Sequence, residues 1–387
     1  SLAWTERGPI SDSINPGNAN TRAGLNATSG FTTAILIDTL NDPSGNTVLF
    51  GSNTGGIWKC TNFLSPVPNW SPVNDYYETL NIGSICQDPT SPNVMYFASG
   101  TQFYGSILMY GDGIWKSVDA GNSWSKLPTS AGLNRGFKIM CDAAGNIYTA
   151  QRAATGPVAQ PYGLFRSKDH GATWINITPA GLTSSNSTCT DIEISGSGRL
   201  HGSFGYQGTL VNHWYTDDPA NVTPGAGWFA STGIRSIASP PAATRMELAC
   251  QGTTLYAVTV NPSTNADSCY KSTDDGVTWT KQNTVAYPTR VLNFQGTYAI
   301  TLSINPSNAN EFIIGGLDAY KSSDGGVSVG SAITHWIGLT PPYVHADHHF
   351  MQWWNVGAES RIIIAGDGGI FLSRDGGATF SDRNKNL

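Results

Sequence analysis

The feature that most constrains this chain is a nine-residue string that recurs along it. Lys116-Ser117-Val118-Asp119-Ala120-Gly121-Asn122-Ser123-Trp124 returns as Arg166-Ser167-Lys168-Asp169-His170-Gly171-Ala172-Thr173-Trp174, and again as Lys271 to Trp279. Shorter copies are Lys321-Ser322-Ser323-Asp324-Gly325-Gly326 and Ser373-Arg374-Asp375-Gly376-Gly377-Ala378-Thr379-Phe380. The shared core, Ser-x-Asp-x-Gly-x-Thr-aromatic, describes a hairpin turn. The carboxylate accepts bonds from turn amides and the Thr hydroxyl, Gly supplies positive φ, and the aromatic residue re-enters a sheet. Asp119, Asp169, Asp274, Asp324 and Asp375 are therefore read as structural.

Spacing counts the units. The aspartates are 50, 105, 50 and 51 residues apart. The double gap holds a degraded copy at Tyr215-Thr216-Asp217-Asp218, and another stands upstream at Ile57-Trp58-Lys59-Cys60-Thr61-Asn62, followed by Trp70. Seven units of this length predict an all-β chain: one seven-bladed β-propeller of four-stranded antiparallel blades. The expected blades run at about 31–75, 80–128, 136–180, 188–232, 245–285, 295–340 and 345–385, after an N-terminal extension over 1–30 that helps close the ring.

Composition fits. Gly (44) and Pro (21) punctuate short strands, and 12 Trp within a 39% hydrophobic share supply a core. Only 12% of residues are charged, the net charge is −6, and there is no Lys/Arg cluster, which argues against nucleic acid as a partner. No apolar run reaches the ~20 residues of a membrane span. The opening Ser1-Leu2-Ala3-Trp4 has no basic-then-apolar pattern, as expected where a signal segment has been removed; more chain is expected beyond Leu387. The six cysteines show no C-x-x-C, and at least one disulfide is expected, with Cys250–Cys269 the nearest pair. Asn26, Asn176, Asn186 and Asn221 head glycosylation sequons.

The repeat resembles that of the Asp-box (BNR) propellers, which include sialidases, xyloglucan-degrading hydrolases and sortilin-type receptors. Asp88-Pro89-Thr90-Ser91-Pro92-Asn93, Asn305-Pro306-Ser307-Asn308 and the opening Trp4-Thr5-Glu6-Arg7-Gly8-Pro9 are most similar to secreted bacterial BNR-repeat proteins of the glycosyl-hydrolase type. The resemblance implies fold more strongly than activity, because one scaffold carries many functions.

In such a blade the box lies in the turn between strands three and four, so chemistry is expected at the opposite end. There the second-to-third turns bring Asp112, Asp318 and Asp367, which are candidate catalytic carboxylates. Tyr104, Tyr110 and Tyr162 are candidate ligand-binding aromatics on the same face. The densest cluster, Tyr343-Val344-His345-Ala346-Asp347-His348-His349, offers Tyr343, His345 and His348 to a ligand. It also offers His345 and Asp347, with Asp367, to a divalent cation such as calcium; alternatively its members hydrogen-bond one another and pin the blade junction.

Specific enzyme patterns fit poorly. The Arg-Ile-Pro string of sialidases is absent, and Arg361-Ile362-Ile363 falls in the wrong blade. The first-blade stretch that carries an acid in xyloglucan hydrolases reads Ser52-Asn53-Thr54-Gly55-Gly56-Ile57-Trp58-Lys59 here, so an amide stands at Asn53. Those enzymes also pair two propellers around their cleft. The expectation is a secreted or cell-surface, non-catalytic module that binds glycan or a surface protein, or serves a larger protein structurally. The alternative is a glycoside hydrolase using loop-face carboxylates.

Overall fold

The computed structural model describes residues 30–100, 109–152, 162–182, 187–206, 211–234, 244–337 and 340–384. Seven antiparallel sheets follow one another along the chain, each with its strands in sequence order. Six have four strands. The sixth has three, and the isolated bridge Tyr320–Ala332 stands where its fourth belongs. The first strands are Thr32–Ile37, Ile82–Gln87, Gly136–Cys141, Cys189–Ile194, Arg245–Gln251, Thr301–Asn305 and His348–Val356. Each touches the first strand of the next blade, and His348–Val356 touches Thr32–Ile37, closing the circle. This is a seven-bladed β-propeller. The expected extension over 1–30 lies almost wholly outside the described residues, as does Tyr104.

The second strands explain the stacking. Met95–Ser99, Ile147–Gln151 and Leu200–Phe204 are buried at every position. A strand sandwiched between neighbouring blades has no solvent face, so it reads as an unbroken apolar and small-residue run instead of alternating. Most fourth strands, such as Ile175–Asn176 and Thr280–Lys281, are only two residues long and lie at the surface, a short rim that offers little edge for further pairing.

The repeated turn is built as its residues demand. In blade 2, Ser117 Oγ donates to Asp119 Oδ1 (2.8 Å) and accepts from the Gly121 amide (2.9 Å). The Ser123 amide and hydroxyl donate to the two Asp119 oxygens at 2.9 and 2.6 Å. Asp169, Asp274, Asp324 and Asp375 repeat the set with Thr173, Thr278, Ser328 and Thr379. In blade 1, Asn62 Oδ1 still accepts from Cys60 Sγ (3.2 Å) and the Asn69 amide (2.7 Å), so the degraded copy keeps the turn.

Among the described residues, no strand is exchanged between the first and last blades. Side chains close the ring instead. The Trp70 indole N–H donates to the Arg383 carbonyl at 2.7 Å, and Arg383 Nη1 donates to the Ser65 carbonyl at 3.1 Å.

The first strands enclose a polar central channel of about 580 Å³. In it Lys138 of blade 3 reaches Asp191 (2.7 Å) and Glu193 (2.6 Å) of blade 4, and Asp191 Oδ2 accepts from the Leu248 amide of blade 5 (2.7 Å). These charges tie three blades together. Burial nevertheless pushes the Glu247 carboxyl up to about 8 despite Arg245 at 3.0 Å.

The expected Cys250–Cys269 pairing is corrected. All six cysteines are free thiols. Cys250, on a first strand, turns towards Glu193 in the channel, whereas Cys269, on a third strand, is buried in the hydrophobic packing between blades 5 and 6. Nearness in sequence does not bring the two sulfurs to one side of the sheet.

Candidate functional site

A local irregularity in the inner strands organises the end of the ring opposite the boxes. Each first strand enters from this face. In blades 1, 2, 3, 4 and 7 its register slips near the start, so that Thr33, Gly83, Phe137, Thr190 and His349 bulge out of the strand register. A bulge of this kind re-aims the side chain it frees. At His349 the ring swings to the end of the second strand, and Nε2 lies 2.9 Å from Asp367 Oδ1.

Asp367 sits in the turn between Glu359–Gly366 and Gly369–Ser373 and stays partly exposed, its side chain 28% accessible. The Tyr298 hydroxyl, from the link into blade 6, donates to its Oδ2 at 2.9 Å and lies 3.1 Å from Oδ1. Burial, and then the Asp367 charge, push the Tyr298 phenol up, so it stays a donor. Burial lowers the His349 pKa, so the imidazole is neutral and donates through Nε2. The two rings meet edge to face at 4.7 Å, and Phe31 lies 4.5 Å from His349 and 6.0 Å from Tyr298. Three blades thus fix one carboxylate.

A second carboxyl stands beside it. The Asp367 amide donates to the Asp347 carbonyl at 3.2 Å, and Asp347 adopts a left-handed φ of 63°. Burial, then the negative charge of Asp367, raise the Asp347 carboxyl to about 6. Its Oδ1 is buried without a hydrogen-bond partner, which suits the neutral acid. Two acids in one site are therefore held in unlike environments.

The remaining sequence candidates take other positions. Asp318 is fully buried; Arg290 donates twice to its Oδ2 (3.0 and 2.7 Å) and the Trp336 amide to Oδ1 (3.1 Å). Asp112 accepts from the Trp115 indole at 2.9 Å and pairs with Lys126 at 3.1 Å. His345 Nδ1 turns to the Ala346 carbonyl (3.0 Å), and the ring packs over Gly368. His348 Nε2 donates to the His345 carbonyl (2.9 Å), and burial pushes its pKa down to about 3. Tyr343 is buried edge-on against Phe371. Tyr110 is exposed, with the Arg135 guanidinium 4.2 Å from its ring centre; Tyr162 is half-buried, and its carbonyl accepts from Asn176 at 3.3 Å. Among the described residues, no three His, Cys, Asp or Glu side chains converge as metal ligands. His345, Asp347 and Asp367 are thus not gathered around a common point, because His345 faces backbone.

Sequence reasoning did not single out Tyr298 or Phe31, and named His349 only as part of its cluster. It also passed over Phe294. That ring is 62% exposed on the same link, on a backbone with φ of 64° after Asn293 at 46°. The strained segment is pinned from blade 5: Asn265 Oδ1 accepts from the Phe294 amide (2.9 Å), and Thr264 Oγ1 donates to its carbonyl. Asn53 adjoins the site, its amide donating to the Phe31 carbonyl at 3.0 Å.

No protein-family model matches the chain. It is similar to a xyloglucanase of Paenibacillus sp, 25% identical over 91% of this chain and 31% of the relative. Xyloglucanase Xgh74A of Acetivibrio thermocellus is 27% identical over 91% of this chain and 38% of that protein. The chain thus spans about a third of the length of the curated relatives it matches. Among solved structures, the GH74 enzyme of Niastella koreensis superposes with a TM-score of 0.61 at 18% identity, covering 92% of this chain and 54% of that one. YCF48 from Cyanidioschyzon merolae superposes with a TM-score of 0.56 at 11% identity, covering 90% and 96%. Both likenesses speak for the fold alone. The xyloglucanase relatives favour the hydrolase alternative over the non-catalytic expectation.

Proposed function

We propose that the loop face of this propeller is a glycoside hydrolase site acting on a β-glucan of the xyloglucan type, with Asp347 as general acid and Asp367 as its ionised partner. The observation that carries the reading is the split pair: one carboxyl raised to about 6, the other held by two donors. Acid and carboxylate in unlike environments are what glycosidic cleavage requires. Asp347 gives its proton to the leaving oxygen, and Asp367 stabilises the positive charge that develops on the sugar ring or activates water against it. Tyr298 and His349 orient Asp367. Phe31 and the exposed Phe294 supply apolar faces for sugar rings. A substrate of this kind places the protein outside the cell or on its surface.

A second reading is binding without cleavage, and Asn53 favours it, because an amide stands where the xyloglucan hydrolases that this stretch resembles carry an acid. Reducing-end release from xyloglucan, measured beside equilibrium binding to the same polymer, separates the two. Release that is lost in Asp367→Asn supports hydrolysis; binding with no release at any enzyme concentration supports the second reading.

A further inference from the structure

We propose that Cys86 and Cys141 are the site of a covalent cross-link, a disulfide that staples blade 2 to blade 3 inside the channel. Their sulfurs are 3.5 Å apart, although the residues are separated by 55 positions. Both stand at or next to the ends of neighbouring first strands, Ile82–Gln87 and Gly136–Cys141. The Ile139 amide donates to Ser84 Oγ at 3.1 Å, so the two strands are fixed against each other in the register that brings the thiols together. Both residues border the channel; Cys86 is buried in the packing between blades 2 and 3, and Cys141, half-buried, is the sulfur a small reagent reaches first. The other four cysteines are elsewhere: Cys60 faces Asn62, Cys189 the Asp191 carbonyl, Cys250 Glu193, and Cys269 is buried in the packing between blades 5 and 6. Bond formation requires the sulfurs to close from 3.5 Å to about 2.05 Å.

The chemistry is thiol–disulfide exchange with a low-molecular-weight disulfide. One cysteine thiolate attacks the reagent, forming a mixed disulfide and releasing one small thiol. The second cysteine attacks the protein sulfur of that mixed disulfide, closing the Cys86–Cys141 bond and releasing the second small thiol. Two protein thiols are oxidised and one reagent disulfide is reduced. The bond ties neighbouring blades in a ring whose described residues show no exchanged strand between first and last blades. This inference stands independently of the proposed activity.

The test is treatment of the reduced chain with bis(2-hydroxyethyl) disulfide, followed by alkylation, non-reducing digestion and mass spectrometry. The expected product is a single cross-linked peptide pair carrying Cys86 and Cys141, with the other four thiols alkylated on unfolding. Constraining a loop of this length raises Tm by about 5 °C, reversed by reductant. Cys86→Ser removes both the cross-link and the Tm difference. Recovery of both cysteines alkylated after treatment overturns the proposal, as does a cross-linked protein whose Tm equals that of the reduced form. Because the peptide map is made on the wild-type chain, misfolding of the variant does not blur the outcome.

Discussion

The Trp70 indole N–H donates to the Arg383 carbonyl oxygen at 2.7 Å, joining the first blade to the end of the last across 313 positions of sequence. This bond and the apolar contacts of the same indole with Phe50 and Phe63 do at the ring seam what an exchanged strand does elsewhere. Trp70→Ala is expected to lower stability by about 3–5 kcal/mol, and Trp70→Phe by about 1–3 kcal/mol, since the second keeps bulk but strands a buried carbonyl. Urea unfolding measures both. A Trp70→Phe variant as stable as wild type would show that the hydrogen bond contributes nothing.

The box turns carry a testable strain. Ala120, His170 and Asp275 adopt φ near 56–57° at the position where the turns of blades 6 and 7 have Gly325 and Gly376. Ala120→Gly is expected to stabilise the chain by up to about 1 kcal/mol, because glycine adopts this conformation without a Cβ clash. Asp275→Gly is expected to destabilise it. Its carboxylate accepts from Ser197 at 2.5 Å and lies 3.4 Å from His201 of blade 4, which outweighs the relief. Thermal melts of the two variants should move in opposite directions.

Asp347 gives a pH signature. Its carboxyl is raised to about 6 in the fold, above the ordinary 3.8, so the folded chain holds a proton there that the unfolded chain releases earlier. Its contribution is fully present below about pH 4 and is lost as pH rises through about 6. Asp347→Asn is therefore expected to be more stable than wild type at pH 7, by about 1–2 kcal/mol after allowance for solvent screening, and indistinguishable from it below pH 4. In the proposed reaction, wild-type turnover falls as pH rises past about 6, because the proton donor is spent. A variant-to-wild-type stability gap that does not change between pH 4 and 7 would contradict the assignment.

Phe294 is held exposed by backbone that few non-glycine residues adopt, and that strain is compensated by its pins to Thr264 and Asn265. Phe294→Ala is expected to weaken xyloglucan binding about tenfold while leaving Tm within about 1 °C, since the ring packs against little. Isothermal titration beside a thermal melt measures the pair. A stable variant with undiminished affinity would remove Phe294 from the binding face.

The propeller was legible because its signal is local. Ser117, Asp119 and Ser123 satisfy one another within seven residues, and Asn62 keeps enough of that bonding to mark a degraded copy. The site was legible only in part. Asp367, Asp347 and the histidine cluster could be placed on one face by topology. Asp318 and Asp112 share that face, but their partners Arg290 and Lys126 come from other segments, and no spacing announces those pairings. His345 and His348 resemble ligands in sequence, yet both turn onto backbone carbonyls. Tyr298 and Phe31 were missed because each is a single residue from a different blade. The orientation of His349 depends on a register slip that leaves no mark in the residue string.

The most direct test is the initial rate of reducing-end release from xyloglucan by wild type, Asp347→Asn and Asp367→Asn, with binding and Tm recorded on the same preparations. The account predicts turnover by wild type, a loss of at least about a hundredfold in each variant, and retained binding and folding. Turnover that survives both substitutions, or xyloglucan bound but never cleaved by wild type, would contradict it.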